Sequence, residues 1–87
     1  MNIASRTVSL AKNGERIVFD VDRDLYRVAY YYPKLQDGKQ VGENRITAKH
    51  KKLCDALTIV FGESNSKHDP LTVEHYMRSA SWGRELP

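Results

Sequence analysis

Three turn signals divide the first half of this 87-residue chain into runs whose apolar residues alternate. They are Asn13-Gly14, Asp22-Arg23-Asp24 and Asp37-Gly38. Alternation is the period of a half-buried strand. Val8 and Leu10 alternate with Thr7, Ser9 and Ala11, and Ile17 and Phe19 with Arg16, Val18 and Asp20. Asn13-Gly14 predicts a tight hairpin, because both central positions of the favoured turn need a positive φ. The run 25–32 is the longest β-prone segment, with Tyr26, Val28, Tyr30 and Tyr32 on one face and Arg27, Ala29 and Tyr31 on the other. Pro33 ends this strand or demotes it to an edge. Residues 40–46 return as a fourth strand, in which Gly42 and Asn44 suggest a bulge.

The second half has helical spacing. Thr47 is a candidate N-cap, its hydroxyl able to accept a bond from a first-turn amide. Leu53, Ala56, Leu57, Val60 and Phe61 form one apolar stripe, and Gly62 supplies a left-handed residue to close the helix. Asp69-Pro70 is a second start signal, an acid at the cap followed by proline at the first helical position. Val73, Tyr76, Met77 and Ala80 make a shorter stripe. The expected fold is α+β: a three- to four-stranded antiparallel sheet packed on one long helix, with a second short helix at an edge. The whole chain, 1–87, reads as a single small domain. It comprises a β meander over 1–46, helices over 47–62 and 69–80, and an irregular tail over 81–87.

Composition and motifs exclude several classes. A hydrophobic content of 40% with 29% charged residues suits a globular chain. The single cysteine, Cys54, makes no internal disulfide and fits a reducing, cytoplasmic setting. No apolar run predicts a signal peptide or a membrane span. Asp20, Asp22 and Asp24 imitate the start of a calcium loop, but Leu25 stands where glycine is needed and Tyr31 where glutamate is needed. His50 and Cys54 lie four apart on the first predicted helix, yet zinc requires further ligands that the spacing does not supply. No nucleophile has a base and an orienting group in view, and no glycine-rich phosphate loop is present. The expectation is therefore a protein that is not an enzyme and needs no metal or cofactor.

Charge is the feature that points outward. The stretch 34–52 holds six basic residues (Lys34, Lys39, Arg45, Lys49, Lys51, Lys52) against Asp37 and Glu43, a formal +4. The remainder has eight basic residues against nine acids, so the overall +3 conceals one basic block. Such a block is the footprint of an anionic partner, nucleic acid above all, or else an ordinary solvated face. Arg16 and Arg45 are expected to join Arg27 and Tyr31 on the open face of the sheet, with Lys49, Lys51 and Lys52 at the helix start. Cross-strand pairing of Arg27 and Arg45 with Asp20 and Glu43 would instead neutralise that face.

The stretch 26–62 carries a strand Tyr26-Arg27-Val28-Ala29-Tyr30-Tyr31, a turn Asp37-Gly38-Lys39, a further strand, and Thr47 opening a helix through Ala56 and Leu57. It resembles the arm-type, AP2-like DNA-binding module of phage and mobile-element integrases. The resemblance implies a three-stranded sheet lying in the major groove with a helix behind it. It places Arg27, Tyr31, Lys39 and Arg45 on strands that face DNA. The chain has no recombinase domain, and the helix over 69–80 is additional.

Two readings follow. In the first, Arg16, Arg27, Tyr31, Lys39, Arg45, Lys49 and Lys52 contact nucleic acid. In the second, the chain is similar to small phage-encoded proteins that bind and inhibit host proteins. It would then use Tyr30, Tyr32 and Trp82 as exposed contacts, with homodimerisation through an open strand edge.

Overall fold

The computed structural model describes residues 6–79. Four strands and two helices follow one another: β1 (Arg6–Ser9), β2 (Arg16–Asp22), β3 (Leu25–Gln36), β4 (Lys39–His50), α1 (Leu53–Ser64) and α2 (Pro70–Ser79). The strands form one antiparallel meander in the order β1-β2-β3-β4. Both helices lie on a single side, so the architecture is two-layered α+β. They are 12 and 10 residues long, nearly equal rather than one long and one short. α2 packs mainly on α1, and Arg78 near its end bonds Tyr26 of β3. No helix among the described residues is long and apolar enough to cross a membrane.

The alternation sets the layers. Val8, Ile17, Phe19, Val28 and Tyr30 point to one face and are buried. Leu53, Ala56, Leu57, Val60 and Phe61 of α1 and Val73 and Met77 of α2 close over them. Tyr26, Tyr32, Ile46 and Ala48 flank this core, half-buried. Among the described residues, no helix lies over the other face of the sheet.

The turns differ in kind. Asp37 and Gly38 both have positive φ (53° and 77°), as a two-residue hairpin of this hand requires. In the Asn13-Gly14 turn only Gly14 does, at 96°. Its amide donates to the Ala11 carbonyl at 3.3 Å, and Leu10 donates to Glu15 at 2.8 Å. The connection is therefore a longer turn ending on a left-handed glycine.

β3 continues through Pro33 to Gln36. β2 ends its pairing at Tyr31, so Pro33 sits where β3 has β4 as its sole described neighbour. A missing N–H is harmless on an open side. A bulge does interrupt the hairpin: Lys34 pairs with Gly42 and Leu35 with Gln40, leaving Val41 extra.

Thr47 does not cap a helix. It pairs with Ala29 in the middle of β4, and the alternation of Ile46, Ala48 and His50 with Arg45, Thr47 and Lys49 runs on to the strand's end. Continuous pairing with a 12-residue β3 outweighs a local cap preference. His50 thus ends a strand, while Cys54 lies in the first turn of a helix. α1 opens after Lys52, which is extended and provides no side-chain cap. Glu74 of α2 supplies the acceptor instead, taking the Cys54 amide at 3.1 Å.

Gly62 is helical, and Asn65 closes α1 at φ 56°. The Asn65 and Ser66 amides bond back to Gly62 and Phe61 at 3.2 and 2.9 Å. Asparagine is the usual second choice at this position. A Cβ on Gly62 would meet nothing within 4 Å. Gly62→Ala is therefore expected to stabilise the fold by about 0.5–1 kcal/mol, read from urea unfolding.

Candidate nucleic-acid interface

The uncovered sheet face is a lattice of cross-strand rows. Ser9, Arg16, Tyr31 and Arg45 form one row, Thr7, Val18, Ala29 and Thr47 the next, and Asp20, Arg27 and Lys49 a third. Asp22 with Leu25, and Pro33 with Glu43, complete it. Four of the proposed contact residues, Arg16, Arg27, Arg45 and Lys49, therefore share this face with Tyr31. Lys49 is there because it lies on β4 and not at a helix start. Between the charged rows runs a shallow depression of about 590 Å³, floored by Val18, Ala29 and Thr47.

Acids engage two of the four cations. Arg27 grips Asp20 with both prongs, at 2.7 and 2.6 Å, and reaches Asp22 at 3.8 Å. These residues are direct cross-strand partners, the neutralising arrangement expected for them. The Arg27 hydrogen bonds hold the Asp20 carboxyl below its ordinary range, against the opposing desolvation, and the charges of Arg27 and Lys49 add to the effect.

Glu43 is taken by Arg16, again bidentately, the second contact being 3.2 Å. Arg45 was its expected partner. The two lie on the same strand, however, whereas Arg16 reaches Glu43 across β3. The Arg16 guanidinium crosses the Tyr31 ring at 4.2 Å, and Arg45 lies 6.0 Å from that ring. Tyr31 is half-buried between two arginines, so it orients cations rather than offering a bare ring to a base.

Arg45 and Lys49 remain. Both are exposed on the outermost strand, and neither forms a salt bridge among the described residues. The rest of the basic block is dispersed. Lys39 follows the hairpin turn, roughly 30 Å along β4 from Lys49 at about 3.3 Å per residue. Lys51 and Lys52 are exposed in the link to α1, beyond the end of the sheet. The α1 N-terminus has no amide attraction to spare for a phosphate at Cys54, since Glu74 holds that donor.

Of the residues read as a protein-binding set, Tyr30 is buried, at 2% exposure. It meets the Phe61 ring edge-on at 5.2 Å and stacks on the half-buried Tyr32 at 5.1 Å. A three-tyrosine run on an alternating strand puts its central member on the open face and the other two on the core face. Trp82 lies outside the described residues.

Sequence reasoning missed the polar clamp around Tyr30. Its hydroxyl donates to Glu15, which also receives Asn13 at 2.9 Å and contacts His68 Nε2 at 2.9 Å. Burial pushes the Glu15 carboxyl up, but bonds from Tyr30, Asn13 and His68 outweigh it and hold the group below its ordinary range. Burial and the Glu15 bond push the Tyr30 phenol well up. The clamp ties the β1–β2 turn and the α1–α2 loop to β3, and no local spacing announces it.

No protein-family model, curated protein or solved structure matches the chain.

Proposed function

We propose that the chain is a non-enzymatic nucleic-acid-binding module that lays its open sheet face against duplex DNA. The observation that carries this reading is the exposed pair Arg45 and Lys49. They project from the outermost strand, on a face that no helix covers among the described residues. The resemblance of residues 26–62 to arm-type DNA-binding modules supports the same face, as does the retention of α1 behind the sheet. Arg16 and Arg27 act differently from Arg45 and Lys49. Each neutralises a carboxylate that would otherwise repel a phosphate, so they make the face tolerant of DNA more than they attract it. Lys52 is positioned to extend contact past the end of β4. Tyr31 holds the guanidinium groups in place.

The experiment is fluorescence anisotropy with a labelled DNA duplex over a series of salt concentrations. Two or three phosphate contacts predict a log–log slope of about −2 to −3, each contact contributing about 0.9. All six basic proposed contact residues acting freely would give about −5. Absence of binding at the lowest salt sinks the proposal.

A further inference from the structure

The outer edge of β4 has a register of its own. The strands β2 and β3 join through the two residues Arg23 and Asp24, with Asp22 paired to Leu25. A turn of this length closes on a pair that bonds across it, and antiparallel pairs alternate thereafter. Leu25, Arg27, Ala29 and Tyr31 therefore direct their backbone groups to β2, and Tyr26, Val28, Tyr30 and Tyr32 direct theirs to β4. Pro33 agrees with this phase, since its absent N–H falls on the side where β2 has ended. On β4 the partners Asn44, Ile46, Ala48 and His50 bond inward. Glu43, Arg45, Thr47 and Lys49 then turn their amides and carbonyls outward. Among the described residues no strand pairs with that side.

Such an edge is a template for another strand, and its charges select among registers. Two copies related by a two-fold axis must bring outward-turned residues opposite one another. An axis at Arg45 or Thr47 sets Arg45 against itself or against Lys49. An axis at Asn44 sets Glu43 against Arg45, but the ladder then runs into the bulge at Val41. An axis at Ile46 sets Glu43, whose carboxylate is also held by Arg16 of its own copy, against Lys49 of the second copy, twice, and Arg45 against Thr47, twice. All four outward-turned residues pair, no like charges meet, and the half-buried Ile46 meets its own mate.

We infer that a second copy of this chain pairs with β4 in this register, joining the two sheets into one of eight strands. The inference does not rest on the nucleic-acid reading, and its test contains no nucleic acid. Sedimentation velocity across a concentration series is expected to reach twice the 10.0 kDa of one chain. Glu43→Lys alone, and Lys49→Glu alone, are each expected to weaken dimerisation at least about 10-fold by placing like charges opposite. The double exchange E43K/K49E is expected to restore it, a rescue that misfolding of either single variant would not give.

Register is read by cross-linking in a Cys54→Ser background. A residue on the axis in a non-bonded pair faces its mate at about 4.5 Å between Cα atoms, within disulfide range. Ile46→Cys is expected to form a covalent dimer under mild oxidation and Thr47→Cys is not. A mass of one chain at millimolar concentration overturns the inference. So does cross-linking of Asn44→Cys or Thr47→Cys as fast as Ile46→Cys, or a double exchange that stays monomeric.

Discussion

Replacing Arg45 and Lys49 together by glutamate is expected to reduce duplex binding at least about 100-fold, while the fold is retained. Each reversal deletes a contact that releases a counterion and adds a charge that repels phosphate. Both side chains are exposed and neither forms a salt bridge among the described residues, so far-UV circular dichroism and the unfolding midpoint should change little. The matched control is Lys12→Glu with Lys67→Glu. Both are exposed lysines outside the rows of the open face, and the change in net charge is the same. If the control lost as much affinity, binding would follow overall charge and the face would have no special role.

The largest effect on stability is expected at Tyr30. It is almost wholly buried, stacks on Tyr32, meets Phe61 edge-on and donates to Glu15. Tyr30→Ala opens a cavity and strands the Glu15 carboxylate without its phenol donor. Truncation of a large buried aromatic costs about 3–5 kcal/mol. A domain of this size has only roughly 4–13 kcal/mol in total. The thermal midpoint is expected to fall by more than about 12 °C.

Tyr30→Phe separates packing from the clamp, keeping the ring at a cost of about 1–2 kcal/mol. The sign of its pH effect follows from Glu15. A carboxyl held below its ordinary range when folded contributes stability above that range, and the contribution is lost as pH falls through the folded value. With the phenol gone, burial pushes against fewer hydrogen bonds, so Tyr30→Phe should begin to lose stability at a higher pH than the parent. Unfolding midpoints measured from neutral pH downward will show whether the two curves separate in that direction.

The meander was legible because its signals are local. Asp37-Gly38 made its turn, and the alternation of Tyr26, Val28, Tyr30 and Tyr32 against Arg27, Ala29 and Tyr31 placed each residue on its observed face. Errors arose where a local preference met a distant partner. Thr47 has the chemistry of a cap, but β3 offers pairing as far as Tyr26, and β4 follows it to His50. Gly62 has the freedom to end a helix, yet Phe61 still has core to cover and Asn65 ends it three residues later. The α1 cap comes from Glu74, a residue of the next helix.

The same distinction applies to the charged surface. The basic count along 34–52 was visible, and so was the pairing of Arg27 with Asp20. That Glu43 belongs to Arg16 depends on β2 and β4 flanking β3, which only the topology supplies. What remains of the block on the open face is Arg45 and Lys49, a smaller footprint than a count of lysines and arginines suggests.

The most direct test is a titration of ¹⁵N-labelled protein with a short DNA duplex, followed by amide chemical shifts. Binding through the open face predicts progressive shifts at Ala29, Tyr31, Arg45, Thr47 and Lys49, with Thr58, Glu63 and Leu71 on the outside of the helices unmoved. Shifts confined to the helices, or no shifts at low salt, would contradict it.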